Sequence, residues 1–192
     1  MDKPVTDLVF ADMNEHWAHN AALVMVAENS MDIKSAAGKI YFAPEEKMTR
    51  EEFLVTVMKA LGADEIPTCD TVFADNQKIS AENRGYVNRA YQLGIVRGST
   101  ENGGRFFHPT DEITRAEAAV IINAILGLDS PDTVPVFADS AAVPVWAQSS
   151  LYALHHAGIL NGNGAGYLSS AEPISRAQTA QILLSIKNLY ES

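Results

Sequence analysis

The fold of this chain is decided by one tetrapeptide that occurs three times: Thr49-Arg50-Glu51-Glu52, Thr114-Arg115-Ala116-Glu117 and Ser175-Arg176-Ala177-Gln178. Each copy starts with a hydroxyl side chain and ends with Glu or Gln, which is the pattern of a capping box at the start of an α-helix. Apolar residues follow at helical spacing, as Phe53, Val57 and Leu61 do after the first copy. The pattern therefore predicts three helices that begin at Thr49, Thr114 and Ser175, with these side chains as caps.

Two further motifs repeat in step with the tetrapeptide. Phe-Ala-Asp occurs three times, at residues 10–12, 73–75 and 137–139. Phe-x-Pro occurs at residues 42–44 and 107–109, and the third copy has Leu168-Ser169-Ser170 in its place. Three motifs in one order indicate three sequence repeats. We place the repeats at residues 1–66, 67–130 and 131–192, with turn-rich joins at 62–67 and 129–132.

Each repeat is expected to contain two helices joined by a loop. The first helix starts a few residues after Phe-Ala-Asp, and Gly94 and Gly158 are placed to cap the ends of two of these helices. Repeat one reads Ser30-Met31 at that point, which indicates a diverged loop. A glycine-rich loop such as residues 99–104 follows. Because a lone unit of about 60 residues would be marginally stable, we predict an all-α fold with three helix–loop–helix units packed as one body.

Composition narrows the classes of function. The chain has 192 residues, is 47% hydrophobic and carries a formal net charge of −10. We therefore expect neither nucleic-acid binding nor attachment to an anionic membrane, since both need a basic surface. No apolar run approaches the roughly 18 residues of a membrane span. The start, Met1-Asp2-Lys3-Pro4, lacks the apolar core of a signal peptide, which indicates an internal protein, a fragment or a mature form.

The arginine inside each tetrapeptide is the residue that helix stability does not explain. Each one takes the first helical position, where a positive charge opposes the helix dipole by about 0.3–1 kcal/mol. One interpretation is structural: the arginine pairs with an acidic neighbour, such as the aspartate of a Phe-Ala-Asp motif. The other is an anion site, in which the guanidinium and free backbone N–H groups bind a carboxylate or phosphate. The residues alone leave both interpretations open.

The order Phe-x-Asp, Trp-Ala, Gly-Ile-x-x-Gly, Phe-x-Pro and Thr-Arg-Ala-Glu resembles the pattern of surface-layer homology (SLH) domains. Three tandem copies are the usual number in that family. The resemblance implies a pseudo-trimeric, pseudo-threefold α-helical spindle with grooves between neighbouring units. It also implies that these grooves bind secondary cell-wall polysaccharide, typically pyruvylated, and so attach a protein to a bacterial cell surface without a covalent bond and without catalysis.

The resemblance also implies which residues form the grooves. Carried over by position in the motifs, the ligand-binding residues are three arginines, three aspartates and two tryptophans: Arg50, Arg115, Arg176, Asp12, Asp75, Asp139, Trp17 and Trp146. From the residues alone, the two tryptophans could equally be core side chains. Repeat two has Glu82 near the tryptophan position, so its aromatic side chain is missing. We expect no catalytic residue, no metal ligand and no cofactor.

Two other functions stay open at this point. The departures from the motif in repeats one and three favour a structural or protein-interaction module that keeps the fold and has lost the ligand. An enzyme acting on wall glycan is the weakest hypothesis, because it needs an acid and a base paired in one cleft. The expected partners are secondary cell-wall polysaccharide and a larger attached or parent surface protein. The expected location is extracellular, in the bacterial cell wall or S-layer.

Overall fold

The secondary structure of the chain repeats as a first helix, a loop and a second helix. The computed structural model describes residues 8–63, 66–133 and 135–191, so the start Met1-Asp2-Lys3-Pro4 and residues 64 and 65 of the first join lie outside it. The helices are α1 (His19–Ala27), α2 (Arg50–Ala60), α3 (Arg84–Gln92), α4 (Arg115–Leu126), α5 (Val145–His156) and α6 (Arg176–Glu191). The strands are β1 (Lys34–Ala36), β2 (Lys39–Tyr41), β3 (Ser99–Glu101) and β4 (Gly104–Phe106). Among the helices of the described residues, none is both long and apolar enough to cross a bilayer.

The second helix of every repeat begins where the capping boxes predict. Thr49 is the N-cap of α2, with its hydroxyl accepting from the Glu52 N–H at 3.2 Å and the Glu52 carboxylate accepting from the Thr49 N–H at 2.9 Å. Thr114 caps α4 through the same reciprocal pair. Ser175 precedes α6, and its N–H donates to the Gln178 Oε1 at 3.0 Å. The predicted helix starts are therefore confirmed, with the arginine as the first helical residue each time.

The first helix of every repeat ends on a residue in the left-handed region. Gly94 follows α3 with φ 74° and Gly158 follows α5 with φ 71°, as predicted. In repeat one the same place is taken by Asn29, with φ 56°. Asparagine is the residue that, after glycine, most readily adopts this conformation. The prediction that this loop has diverged compared Ser30-Met31 with Gly-Ile. The residue equivalent to Gly94 is Asn29, one position earlier, and it keeps the left-handed conformation, so that prediction is wrong.

The all-α prediction is incomplete, because the loops of repeats one and two each contain a short β-hairpin. β1 pairs with β2 and β3 with β4 as antiparallel hairpins. Both turns have two successive residues with positive φ, Ala37-Gly38 and Asn102-Gly103, which is the geometry that matches the twist of a two-residue hairpin. In repeat three, Asn163 orders the corresponding loop, because its side-chain oxygen accepts from the N–H groups of Ala165 and Tyr167 at 3.0 Å.

Helices pack in pairs that come from different repeats. The second helix of one repeat lies against the first helix of the next, as α2 does on α3 and α4 does on α5. The last helix, α6, lies against the first, α1, and an ion pair of 3.0 Å joins Lys187 to Glu28. The repeats thus share one core and close on themselves. The repeat boundaries at 66/67 and 130/131 stay predictions.

The centre of the molecule is a closed ring of three backbone hydrogen bonds. Met48 N–H donates to the Ile174 carbonyl at 3.1 Å, Ile174 N–H to the Ile113 carbonyl at 3.0 Å, and Ile113 N–H to the Met48 carbonyl at 3.0 Å. Each residue stands just before a helix cap, and all three side chains are buried. Every repeat therefore contributes one donor and one acceptor to the point where the three repeats meet.

The ring leads to a prediction about stability. We expect Ile113→Ala to lower the free energy of unfolding by about 2–5 kcal/mol, because it leaves a cavity at a fully buried position. Urea denaturation followed by circular dichroism measures the change. Val136→Ala is the control, since this side chain is 93% exposed and its loss should change stability by less than about 0.5 kcal/mol. Equal effects of the two variants would contradict the shared core.

Candidate functional site

The aspartate of each Phe-Ala-Asp motif holds the backbone of its own repeat. The carboxylate of Asp75 accepts from the N–H groups of Phe107 and His108, at 2.9 and 2.8 Å. Asp12 binds Phe42 and Ala43 in the same way, and Asp139 binds Leu168 and Ser169. The second residue of each held pair has positive φ, between 51° and 58°, a conformation that is unfavourable for residues with a Cβ. The aspartates therefore position the loop; direct contact with a ligand stays a prediction for them.

The arginine of each tetrapeptide holds the same segment from the other side, in a different repeat. The Nε–H of Arg50 donates to the Phe107 carbonyl at 3.0 Å. Arg115 donates to the Leu168 carbonyl and Arg176 to the Phe42 carbonyl, both at 2.8 Å. Among the described residues, the arginines and the Phe-Ala-Asp aspartates form no ion pair within 4.0 Å. Instead, the two charged groups bind opposite ends of one residue.

The backbone N–H groups at the helix starts are already occupied. Arg115 N–H donates to the Glu172 carbonyl and Ala116 N–H to the Ser170 carbonyl, both at 2.9 Å, while the cap hydroxyl takes the N–H of Glu117. The starts of α2 and α6 are occupied in the same way by Asp111, Pro109, Glu46 and Pro44. The expectation that free N–H groups contribute to an anion site is therefore wrong. The cause is the strand-like pairing of the cap segments.

The guanidinium groups remain as buried or half-buried positive charges. Arg115 is only 7% exposed, and its second hydrogen bond goes to the Asn161 carbonyl at 3.0 Å. Burial lowers the pKa of Arg115, and the charges of Glu172 and Asp139 oppose that change. Burial also lowers the pKa of Arg176, opposed by the charges of nearby carboxylates, of which Glu46 and Glu52 act most strongly. Arginine is nevertheless charged in proteins, so these sites keep their positive charge.

Two grooves join an exposed tryptophan to an arginine of another repeat. Trp17 and Trp146 are 61% and 60% exposed, so neither is a core side chain. The Arg115 groove, of about 320 Å³, lies between Trp17, Arg115, the loop 159–172 and the face of α6 at 178–185. The Arg50 groove, of about 750 Å³, lies between Trp146, Arg50, the loop 94–99 and residues 108–124. Each groove therefore uses all three repeats.

The third groove has a different lining. The Arg176 groove, of about 250 Å³, lies between Arg176, residues 30–34, the face of α2 and Asn83. The tryptophans stand twelve residues before the left-handed residues Asn29 and Gly158. The same count from Gly94 reaches Glu82, which is exposed. Glu82 is not among the described residues that line the Arg176 groove, and the next residue, Asn83, is.

Several groove residues have no place in the sequence-based prediction. The Arg115 groove includes four side-chain amides and a partly exposed tyrosine: Asn161, Asn163, Gln178, Gln181 and Tyr167. Three of them, Asn161, Asn163 and Tyr167, lie in the loop that starts with Gly-Ile-x-x-Gly, at positions which that motif does not specify. Gln178 alone carried a signal, since it replaces the glutamate found in the other two tetrapeptides.

Comparison with known proteins identifies relatives of this arrangement. The family model of the S-layer homology domain matches residues 72–119 and 136–180. The S-layer protein sap of Bacillus anthracis is 33% identical over 99 residues, which are 51% of this chain and 11% of that protein. An amylopullulanase of Thermoanaerobacterium thermosulfurigenes is 38% identical over 87 residues, 43% of this chain and 4% of that protein. An endoglucanase of Bacillus sp. (strain KSM-635) is 30% identical over 95 residues, 50% of this chain and 10% of that protein. The chain thus matches about a tenth or less of the length of each.

The aspartate contacts lead to a prediction for Asp75. In Asp75→Asn the amide NH₂ replaces one of two acceptor oxygens, so a backbone N–H of the buried segment loses its partner. We expect the free energy of unfolding to fall by about 1–3 kcal/mol. Thermal and urea denaturation measure it, with the exposed Asp129→Asn as the control of equal charge change. If Asp75→Asn were as stable as Asp129→Asn, the hydrogen bonds from the Phe107 and His108 N–H groups to Asp75 would not be needed for stability.

The arginine contacts lead to a prediction for Arg115. Arg115→Ala removes two charge-assisted hydrogen bonds between repeats, each worth about 1.5–3 kcal/mol. Removing a cation from a helix start returns about 0.3–1 kcal/mol, so we expect a net loss of stability of about 2–6 kcal/mol. The melting temperature, measured by calorimetry, should fall accordingly. An unchanged or raised melting temperature would mean that Arg115 does not hold the repeats together.

Proposed function

This chain belongs to the S-layer homology family, whose model matches its second and third repeats, and we propose that it is a non-catalytic module that binds secondary cell-wall polysaccharide. It thereby attaches a protein to the bacterial cell wall. The polysaccharide is a pyruvylated one, held in the grooves between repeats. The observation that carries the proposal is the pairing, in two grooves, of an exposed tryptophan with an arginine from another repeat.

The chemistry of the two side chains matches the proposed ligand. An exposed indole offers a flat apolar face for the C–H side of a sugar ring, and its N–H can still donate a hydrogen bond. A ketal-linked pyruvate carries a carboxylate, which a guanidinium binds with strong, charge-assisted hydrogen bonds. In a chain with a net charge of −10, an acidic polymer needs such a local positive group. The tryptophan therefore binds the ring and the arginine binds the acid.

The arrangement of the repeats supports a pseudo-threefold spindle. The ring of hydrogen bonds joins equivalent residues of the three repeats, and the arginine of each repeat binds the loop of the next in cyclic order. Such a cycle produces three grooves of related geometry and separate lining. In this proposal, the fold serves to bring side chains of different repeats together.

A second function is favoured by one observation. The Phe-Ala-Asp aspartates and the helix-start N–H groups have their hydrogen bonds inside the protein, which is what a ligand-free structural or protein-interaction module would need. This alternative does not explain why the side chains of Trp17 and Trp146 are exposed to solvent. Binding of a wall polymer is therefore the function that accounts for more of the surface.

The relatives support a larger setting for the proposed module. Two have names of enzymes, an endoglucanase and an amylopullulanase, and the matched segment is 10% and 4% of them. We assign no hydrolysis to this chain. It acts instead beside a larger attached or parent surface protein, outside the cell, in the wall or S-layer.

The proposal predicts the behaviour of the tryptophans. The double variant Trp17→Ala, Trp146→Ala should bind purified pyruvylated wall polysaccharide at least tenfold more weakly, a loss of about 1.4 kcal/mol. Both side chains are exposed, so the melting temperature should change little. Isothermal titration calorimetry measures the affinity and a thermal scan measures stability.

Tyr190→Ala is the matched control, because Tyr190 is 65% exposed and lies near the end of α6. It should bind like the unmodified chain. Failure of the unmodified chain to bind the polysaccharide, or full affinity of the double variant, would favour the structural module instead.

A further inference from the structure

The grooves differ in the charge of the capping-box side chain beside the arginine, which is a glutamate in two grooves and a glutamine in the third. In the Arg50 groove, Glu117 caps α4 through one carboxylate oxygen and accepts from the Arg50 guanidinium through the other, at 2.8 Å. The two groups form an ion pair. The charge of Arg50 is thus neutralised inside the protein, so an acidic ligand entering this groove would compete with Glu117 for the guanidinium.

The equivalent side chain in the Arg115 groove is neutral. Gln178 caps α6, and its Oε1 accepts from the Ser175 N–H at 3.0 Å. Only the oxygen of the carboxamide can accept that hydrogen, so the other group is the NH₂ donor. Among the described residues, Arg115 has no ion pair within 4.0 Å. Glu172 also lines this groove: its carbonyl accepts from the Arg115 N–H, and its carboxylate acts on the Arg115 guanidinium only through its longer-range charge.

The Arg176 groove differs from the Arg115 groove in its capping residue and in its aromatic side chain. Its capping residue is again a glutamate, Glu52, and Asp32, Lys34 and Lys59 also line it. The position of the tryptophan is held by Glu82. The described lining of this groove therefore carries charges of both signs and contains no indole. Of the three grooves, only the Arg115 groove combines an arginine without an ion pair, an exposed tryptophan and a neutral capping residue.

We propose that the acidic substituent of the wall polysaccharide binds in the Arg115 groove, that Gln178 selects this groove over the Arg50 groove, and that Trp17 distinguishes it from the Arg176 groove. The inference rests on the proposed function, polysaccharide binding, and adds to it the location and the charge of the ligand. The substitution in Ser175-Arg176-Ala177-Gln178 is then a source of specificity. The Arg50 groove, although larger, contributes contacts to neutral sugar at most.

The decisive variant is Gln178→Glu in the full chain. It recreates the ion pair of the Arg50 groove and should weaken binding of pyruvylated wall polysaccharide at least tenfold. Binding of the same polymer after mild acid removal of pyruvate should change less than twofold. The melting temperature should be unchanged or higher, since glutamate caps the equivalent helices α2 and α4.

Glu117→Gln is the matched control, because it makes the reverse isosteric change in the Arg50 groove. Its affinity should be equal to or higher than that of the unmodified chain. Trp17→Ala should reproduce the loss seen with Gln178→Glu, whereas Trp146→Ala should not, because only Trp17 lies in the Arg115 groove.

The outcomes separate the two proposals. An unmodified chain that binds neither form of the polymer overturns the proposed function and this inference with it. An unmodified chain that binds, together with full affinity of Gln178→Glu, overturns the inference and leaves the proposed function standing. Equal losses in Gln178→Glu and Glu117→Gln also overturn it, because the grooves would then share the ligand.

Discussion

Each repeat depends on one short backbone segment that two charged side chains hold from opposite ends. At Phe107, the N–H is bound by Asp75 of the same repeat and the carbonyl by Arg50 of the preceding one. The first contact fixes a loop in a conformation with positive φ, and the second fastens that loop to a neighbour. Buried backbone groups without partners are costly, so neither side chain can be lost freely. Because Phe42 and Leu168 are held in the same way, the contacts form a cycle.

The features of the fold that sequence could predict are those fixed by hydrogen bonds within one turn. A capping box names its own two residues, so the helix starts after Thr49, Thr114 and Ser175 follow directly from it. The packing partner of each helix cannot be predicted in this way. The helices α1 and α6, for example, pack together although nearly the whole chain separates them, and no motif in either helix indicates that contact. The hairpins were missed for a different reason. Ala37-Gly38 lacks the usual sequence of a two-residue hairpin turn, whereas Asn102-Gly103 has it and the prediction of a glycine-rich loop at 99–104 overlooked it.

The candidate site was predictable in position and less so in role. Motif order located the arginines and tryptophans, but exposure and hydrogen-bond partners depend on packing between repeats. Some residues that depart from the motif make specific contacts between repeats, although a comparison of motifs alone would count them as losses. Glu51, for example, is buried and accepts from the Ser80 N–H and from the Asn83 side chain, at 3.1 and 2.7 Å. A carboxylate replaces alanine where the neighbouring repeat brings an asparagine to the interface.

The closure of α6 on α1 fixes how this architecture can change in length. An open solenoid can gain or lose a repeat at either end, since each repeat contacts only its neighbours and the ends face solvent. Here the first and last repeats are themselves neighbours, and each arginine needs the loop of another repeat. Removing or inserting one unit would leave helices and carbonyls without partners. Genetic duplication can therefore preserve the structure only when it copies the set of three, and divergence proceeds within the units, one groove at a time.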